Sequence, residues 1–405
     1  MKMNRMQMFL AVAVAGAGLF VAALLGMWAF MSATPPLHRA AAEVPSVSEA
    51  EPPAEWARTV EHAREIVRGS LAGQNLPGVS VAVGVNGRHV WAEGFGFADL
   101  ENRVPVSPRT RFRIGTASIA LTSAAVGLLL EQDQLKLDDT IQTYVPEYPD
   151  KQWPVTLRLL MSHRAGVRND SGDEGPLFGR HCDRPVDAIE AFKDDALRFE
   201  PGTQFRYSSY GWILMSAAVE DAANEPFLTY MRRKVFEPLG MEDTKAESAT
   251  ESIPNRATFY FPRFSADPKY GPDVMRDLDY SCYAGASVFL STPTDLVRFA
   301  QAVTSGKLLQ PATVQLLQTG QRLPTGEETG YGFGWDLETA TVAGKPTLVV
   351  GHDGDALGGR VASLMTFPEL GIVVAVTSNT SYADTFTIGV KIAEAFSTRT
   401  TEAVR

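Results

Sequence analysis

The most continuous hydrophobic pattern in the chain lies at its start. Residues 6–31 contain no charged side chain, and Lys2 and Arg5 precede them. A stretch of this length can span a bilayer as a helix, and basic residues on its N-terminal side favour a cytoplasmic N-terminus. We therefore expect an uncleaved signal anchor over residues 1–31, with the remainder of the chain outside the cytoplasm. Cleavage after residue 42 is the alternative.

The segment that follows has a different composition. Residues 32–54 are rich in Pro, Ala, Ser and Glu. Such a segment buries little apolar surface, so it predicts a flexible linker between the membrane and a domain over residues 55–400.

Beyond the linker, the apolar positions change between helical and strand spacing. Residues 56–73 have helical spacing, and residues 79–101 predict two strands joined at Asn86-Gly87, a pair typical of tight hairpin turns. Three strands and a helix are predicted near the end of the chain, at residues 347–350, 360–367, 371–377 and 383–396.

Strands at both ends of this domain enclose a helical middle, which predicts the α+β class. We expect an α/β sandwich in which an antiparallel sheet is flanked by helices. Its α/β part covers about residues 55–110 and 285–400, and a largely α-helical insertion covers about residues 111–284.

The composition and the absence of certain motifs exclude several classes of function. Of the 405 residues, 45% are hydrophobic and 21% are charged, as in folded globular chains. The formal net charge is −10, so no overall positive field attracts nucleic acid, and we expect no nucleic-acid partner. The chain has no HExxH zinc motif and no phosphate-binding glycine motif, so we expect no metal and no other cofactor. Cys182 and Cys282 fit either a disulfide or two buried thiols, and the sequence leaves both open.

Seven segments in fixed order resemble one family. They are RFRIGTASIALTSAAVGLLLEQDQLKLDD, VTLRLLMSHRAGV, FEPGTQFRYSSYGWILMSAAVE, FEPLGMEDT, YAGASVFLSTPTDLVRF, YGFGW and GHDGDALGG, within residues 60–396. Together they resemble the serine beta-lactamase and penicillin-binding-protein-like hydrolases, especially the class C and LACTB-type branches. This resemblance implies the beta-lactamase/transpeptidase-like fold and an acyl-transfer groove.

The first motif departs from the family pattern. Catalysis in that family rests on S-x-x-K, in which Ser attacks an acyl carbonyl and Lys, one helical turn later, helps remove its proton. The flanking residues align Thr116 with the Ser and Ile119 with the Lys. Threonine keeps a hydroxyl, but isoleucine accepts no proton. Shifting the register to Ser118 places Leu121 at the Lys position and restores nothing.

The two other motifs persist in changed form. By resemblance, Tyr207-Ser208-Ser209 corresponds to Tyr-x-Asn, which gives Tyr207 a proton-shuttling role and Ser209 a hydrogen-bonding role. His352-Asp353-Gly354 corresponds to Lys-Thr-Gly on the strand that binds substrate, and the amides of Asp355 and Thr116 would form the oxyanion hole.

The sequence supports two main functions. A membrane-anchored binding or scaffold protein that has lost acyl transfer is the preferred hypothesis, with a peptide, an ester or a cell-wall-derived molecule as ligand. The alternative is an esterase, peptidase or beta-lactamase-like hydrolase with Thr116 as nucleophile and Tyr207 as base.

In a third hypothesis, Lys136, Lys151, Arg164 or Arg206 reaches the site from another element and replaces the charge of the family lysine. By resemblance, the anchor and the acidic domain fit a periplasmic protein. The oligomeric state is not determined by the sequence.

Overall fold

The N-terminal apolar run forms one helix, α1 (Arg5–Ser32). The computed structural model describes residues 5–32, 35–169, 177, 179–264, 266–275 and 278–402. Within α1, the 25 residues Met6–Phe30 are long and apolar enough to cross a membrane, and none of that stretch is buried by the protein. The structure thus contains the expected apolar helix, which has the properties of an anchor or a signal sequence.

An antiparallel sheet forms the centre of the domain. Its strands follow the order β1-β3-β2-β13-β12-β11-β10, and β4 pairs with β3. The β2–β3 hairpin turns at Asn86 and Gly87, both of which have positive φ, as a tight two-residue turn requires. The strands are β1 (Ser46–Ser48), β2 (Gly78–Val85), β3 (Arg88–Asp99), β4 (Val104–Pro105), β10 (Asp336–Val342), β11 (Lys345–Ala356), β12 (Gly359–Phe367) and β13 (Ile372–Ser378).

The segment 32–54 is more ordered than its composition predicts. Ser46, Val47 and Ser48 pair with Phe95, Gly94 and Glu93 of β3, which makes β1 the edge of the sheet. Val44 is buried with 3% of its surface exposed. The expectation of a flexible linker is therefore wrong for this part, because backbone pairing with an open sheet edge needs no hydrophobic composition.

Helices cover both faces of the sheet. In β13, Val374 and Val376 join the core against α2 and α11, whereas Val373 and Ala375 join the core on the opposite face. This alternation follows the two-residue period of a strand and explains the continuous apolar run. The helices outside the middle of the chain are α2 (Ala57–Gln74), α9 (Pro293–Thr304), α10 (Pro311–Leu317) and α11 (Thr385–Glu402).

The middle of the chain is built of helices and short strands. Its helices are α3 (Ser118–Glu131), α4 (Leu157–Met161), α5 (Pro185–Ile189), α6 (Ser209–Ala223), α7 (Phe227–Tyr230) and α8 (Glu237–Leu239), with one π turn at Met231–Phe236. Its strands are β5 (Phe112–Arg113), β6 (Lys245–Ala246), β7 (Tyr260–Pro262) and β8 (Pro272–Val274), and β9 (Phe289–Ser291) follows it. Cys182 and Cys282 form a disulfide within this part. The predicted α+β architecture is confirmed.

Candidate active site

The start of α3 lies directly against the end of β11. Residues Gly115–Ala117 form a 3-10 turn that leads into α3. An added Cβ on Gly354 would lie 1.9 Å from the Ile114 carbonyl oxygen, and one on Gly115 would lie 2.1 Å from the Asp355 carbonyl oxygen. Gly115 also has a φ of +52°. Only glycine fits at both positions, so the two backbones meet closely and place Thr116 beside β11.

The Thr116 hydroxyl is bound by the backbone of that strand. It accepts a hydrogen bond from the Asp355 amide at 2.9 Å and donates one to the Asp353 carbonyl oxygen at 3.2 Å. Thr116 itself is 9% exposed. The proton that a nucleophile must lose is thus held by a backbone carbonyl, which is not a base. The Asp355 amide, the expected oxyanion donor, is already bonded to the Thr116 hydroxyl.

The position of the family lysine is part of the hydrophobic core. Ile119 has no exposed surface and packs in the large core cluster on the helical face of the sheet. Ser118 offers no substitute nucleophile, because its buried hydroxyl accepts a hydrogen bond from the Phe289 amide at 3.4 Å. The structure therefore supports the alignment of Thr116 with Ser and of Ile119 with Lys.

A buried ion pair fixes the strand that leads into this turn. Arg113 of β5 binds Glu247 through two hydrogen bonds of 2.7 and 2.9 Å, and both side chains are less than 10% exposed. The Arg113 guanidinium also lies over the rings of Phe259 and Tyr280 at 4.9 and 4.8 Å. Planar, bidentate pairing of this kind orients both side chains and holds the strand before Thr116 in place.

Tyr207 lies on the other side of the Thr116 hydroxyl. Burial raises the pKa of Tyr207 well above its ordinary value, and the neighbouring Thr116 hydroxyl opposes that shift. The Tyr207 hydroxyl interacts with the Thr116 hydroxyl, and its buried oxygen has no other hydrogen-bond partner among the described residues. The phenol is therefore protonated near neutral pH and is a poor base.

The chain turns into α6 directly after Tyr207. The Ser208 hydroxyl caps the helix by accepting from the Gly211 amide at 3.2 Å, and it donates to the Arg168 carbonyl at 2.8 Å. Ser209 donates its amide to Asn169 Oδ1 at 2.9 Å. Its hydroxyl contacts no hydrogen-bonding partner among the described residues. Ser209 thus lies beside Tyr207, as predicted, and its proposed role toward substrate stays a prediction.

Two histidines complete a buried polar cluster around Tyr207. The His163 ring lies 4.1 Å from the Tyr207 ring and 4.6 Å from the Tyr331 ring. His163 Nδ1 accepts from the Ser208 amide at 3.1 Å, so the proton lies on Nε2, which has no hydrogen-bond partner among the described residues. Burial lowers the pKa of His163 well below its ordinary value, and His352 lowers it further.

His352 is tied to its surroundings through both ring nitrogens. Nδ1 lies 2.5 Å from the Asp353 carbonyl oxygen and therefore donates to it, while Nε2 contacts the Tyr331 hydroxyl at 3.0 Å. The Asp336 carboxylate lies 3.7 Å from Nδ1 and accepts from the Asp353 amide at 3.1 Å. The carboxylate nearest to His352 is thus that of Asp336 on β10.

The two aspartates of β11 have different surroundings. The Asp353 carboxylate contacts Arg360 and Ser363, each at 2.5 Å, and Ser363 also contacts Thr385 at the start of α11. The Asp353 side chain therefore lies on the α11 face of the sheet, and its carbonyl is the part that faces Thr116. Burial raises the pKa of Asp353 to about 7, against the opposing effect of Arg360.

Asp355 is the more open of the two. Asp355 is exposed, and desolvation by the surrounding protein raises the pKa of its carboxyl. Its amide contact with Thr116 places it at the groove. Among the residues given a substrate-binding role by resemblance, Asp355 is thus the one that is exposed, and the substrate-binding role of all four stays a prediction.

The four residues offered as replacements for the lysine lie elsewhere. The Lys151 ammonium contacts the carbonyls of Lys193 and Asp195, and the Arg164 guanidinium contacts groups of Ser162, Gln321 and Arg322. Lys136 and Arg206 are exposed at the surface. The hypothesis of a replacement cation therefore has no support in these contacts.

Three further groups of the site were not assigned a role from the sequence. His163 and Tyr331 occur in segments that carry the resemblance, MSHRAGV and YGFGW, and their motif membership was the available signal. Asp336 lies outside every quoted segment and reaches the site because β10 pairs Asp336 with Gly351.

Comparison with known proteins agrees with this architecture. The sequence model described as Beta-lactamase matches residues 63–395. The serine beta-lactamase-like protein LACTB, mitochondrial, of Homo sapiens is 28% identical over 84% of this chain and 80% of its own length. Penicillin-binding protein 4* of Bacillus subtilis is 25% identical over 68% of this chain and 62% of its own.

Solved structures share the fold at lower identity. The D-amino acid amidase from Ochrobactrum anthropi gives a TM-score of 0.69 at 22% identity, over 86% of this chain and 99% of the amidase. An octameric penicillin-binding protein homologue from Pyrococcus abyssi gives a TM-score of 0.69 at 23% identity, over 82% and 76% of the two chains. Since the family match spans most of the sequence and the motif residues Thr116, Tyr207 and His352 lie together, this chain belongs to the beta-lactamase family.

Proposed function

We propose that this protein is an anchored binding protein that keeps the groove of the beta-lactamase family and has lost its acyl-transfer chemistry. One observation carries the proposal: the position of the catalytic lysine holds Ile119, which is fully buried in the core. An isoleucine at that depth stabilises α3 by packing and cannot take a proton from the neighbouring hydroxyl.

The groups around Thr116 support the loss of chemistry. Its hydroxyl proton points to the Asp353 carbonyl. The raised pKa of Tyr207 keeps that phenol protonated, and the Nε2 of His163 bears a proton. None of these groups is a base for Thr116 near neutral pH. Removing one member of a coupled catalytic unit commonly costs several orders of magnitude in rate, so slow turnover at most is expected.

The proposed location is a membrane with the domain on its extracytoplasmic face, in a periplasm. The apolar Met6–Phe30 helix and the basic residues before it support the anchor and its orientation. The Cys182–Cys282 disulfide supports an oxidising compartment.

Intact mass spectrometry tests the loss of chemistry. The full chain in detergent is incubated with a fluorescent beta-lactam and a panel of activated esters, beside a Thr116→Ala variant. We expect no covalent adduct and no product above the Thr116→Ala background. An adduct on the natural protein that disappears in Thr116→Ala would instead establish the alternative function, a hydrolase with Thr116 as nucleophile.

A further inference from the structure

The folded domain begins close to the end of the apolar helix. Leu37 donates its amide to Asn75 Oδ1 at 2.7 Å, and the His38 side chain is 6% exposed and stacks on the Phe97 ring. The helix α1 ends at Ser32, and the five residues from there to Leu37 span at most about 18 Å when fully extended. The surface of the domain around Asn75 is therefore tied to the end of α1 by a short connection.

The β7–β8 hairpin is the part of the domain next to this connection. Asn75 Nδ2 donates to the carbonyl oxygen of Lys269, in the loop between the two strands, at 3.5 Å. In the same loop, the ring of Phe264 lies 5.7 Å from the ring of Phe30. Phe30 is the last residue of the stretch that is long and apolar enough to cross a membrane. The Phe264 ring therefore lies at the level where α1 would leave a bilayer.

Phe264 has two properties that are unfavourable for a side chain surrounded by water. It is 63% exposed, a fraction that outside α1 only Val274 of the same hairpin reaches among the large hydrophobic residues described. Its φ is +56°, in the left-handed region that bulky side chains rarely adopt. Backbone strain of this kind is found mainly where a residue has a function. The loop thus presents an aromatic ring to the outside at a conformational cost.

The charged side chains beside Phe264 are paired with each other. Arg263 binds Asp273 at 2.8 Å, and Lys269 binds Asp267 at 2.6 Å, so these four side chains carry no net charge. The chain as a whole has a formal net charge of −10. Attraction to anionic headgroups is therefore not the basis of a membrane contact here. Burial of an apolar ring at the boundary between headgroups and acyl chains needs no such attraction.

We propose that the β7–β8 hairpin rests on the bilayer beside α1, with the Phe264 ring at the boundary between the lipid headgroups and the acyl chains. The domain is then held against the membrane by two elements, the helix and the hairpin, rather than carried away from it on a tether. The inference rests on the proposed membrane anchor and adds a second lipid contact, made by the folded domain.

Fluorescence quenching in phosphatidylcholine nanodiscs tests this contact on the full chain. Both natural cysteines are held in the disulfide, so without reductant a single introduced cysteine is labelled alone with the environment-sensitive fluorophore NBD. The labelled variants are Phe264→Cys, Phe20→Cys in the middle of α1, and the control Leu348→Cys. Lipids with a nitroxide on the acyl chain quench a label that reaches the bilayer, and iodide quenches a label in water.

Leu348 is a matched control because it is also an exposed apolar residue of the folded domain, with 41% of its surface exposed. Along the sheet it lies on the side where β13 starts, whereas the hairpin bridges to Thr380, beyond the end of β13. A label at position 348 is therefore expected in water. Thermal unfolding of each labelled variant confirms that it is folded.

We expect the nitroxide lipid to quench the label at position 264 at least about twofold more strongly than the label at position 348, and iodide to show the opposite order. Equal lipid quenching at positions 264 and 348, with strong quenching at position 20, would overturn the hairpin contact and leave the anchor intact.

Two other results would also overturn the inference. The absence of lipid quenching at position 20 would refute the anchor itself, and the hairpin contact with it. Protection of the label at position 264 from both quenchers would show that protein, such as a second copy of this chain, covers the ring instead of lipid.

Discussion

The frame of the groove and the reacting positions inside it differ in how well their polar groups are paired. In the frame, Arg113 and Glu247 form a bidentate buried pair, and Gly115 and Gly354 allow two backbones to meet. At the reacting positions, the Tyr207 hydroxyl has the neutral Thr116 hydroxyl beside it and no other hydrogen-bond partner among the described residues. The frame is thus held by a charge-assisted pair, whereas the reacting positions are joined only by neutral groups.

This difference teaches what the chain has retained. The close approach of α3 to β11 is allowed by Gly115 and Gly354, and the Thr116 hydroxyl adds two hydrogen bonds to it. In the proposed function, the family's chemistry depends on two side chains whose positions hold Thr116 and Ile119 in this chain. If the proposed loss of chemistry is right, the family fold persists without its reacting groups because stability and catalysis rest on different residues.

The largest expected effect comes from breaking the frame. The Glu247 carboxylate is 3% exposed, and Arg113→Ala leaves it the Arg256 contact at 3.2 Å as its ion pair among the described residues. We expect a loss of about 3 to 5 kcal/mol in the free energy of unfolding, measured by denaturant titration. Arg263→Ala, which breaks the solvent-exposed pair with Asp273, is the control and should change stability by less than about 1 kcal/mol. Equal effects of the two changes would show that the frame is not specially stabilised.

The pH dependence of stability probes the buried Asp353 carboxyl on β11, next to the reacting positions. The pKa of Asp353 is about 7 in the folded protein, mainly through burial, against an ordinary value of 3.8. Between these values the folded state holds the proton and the unfolded state does not, so the favourable contribution is full below about pH 4 and is lost as the pH rises through 7. At about 1.4 kcal/mol per pKa unit, the shift from 3.8 to about 7 corresponds to a loss on the order of 4 kcal/mol.

The variant Asp353→Asn isolates this contribution, because an amide keeps the shape and can still accept from Ser363. Denaturant titrations between pH 4 and pH 7 should show a smaller loss of stability in the variant than in the natural protein. An equal loss of unfolding free energy between pH 4 and pH 7 in both proteins would mean that the pKa of Asp353 is not raised by burial.

A smaller effect on stability is expected where β11 meets the turn before α3. Gly354→Ala places a methyl group 1.9 Å from the Ile114 carbonyl oxygen, so we expect a loss of about 2 kcal/mol by thermal or denaturant unfolding. Gly73→Ala is the matched control, since nothing lies within 4 Å of its added Cβ in α2. That change should stabilise the protein by roughly 0.5–1 kcal/mol through helix propensity. Destabilisation by Gly73→Ala and none by Gly354→Ala would contradict the close approach of the two backbones at Gly354.

Much of the sheet could be predicted from the local sequence. Asn86-Gly87 between two apolar runs predicts the β2–β3 hairpin, and the structure has it. β10 was missed because Asp336–Val342 is an edge strand with several polar, partly exposed residues, so its hydrophobic signal is weak. β1 was missed for a related reason: it is held by backbone pairing with β3, which composition does not reveal.

Site residues that belong to a family motif could be predicted from the sequence. Site residues that are brought in by pairing between distant elements could not. Thr116, Tyr207 and His352 follow from motif order. Asp336 reaches His352 through strand register, which no local pattern specifies. The bond between Cys182 and Cys282 likewise depends on how loops 100 residues apart meet in space.

The most direct test of the central claim is the acylation rate of the natural protein and of the Thr116→Ser/Ile119→Lys double variant, measured side by side with a fluorescent beta-lactam. Thr116→Ser and Ile119→Lys alone serve as controls. If the groove is intact and only its chemistry is lost, the double variant gains a covalent adduct on Ser at position 116, while the natural protein and both single variants stay unlabelled. Labelling of the natural protein at Thr116, at a rate equal to that of the double variant, would contradict the account.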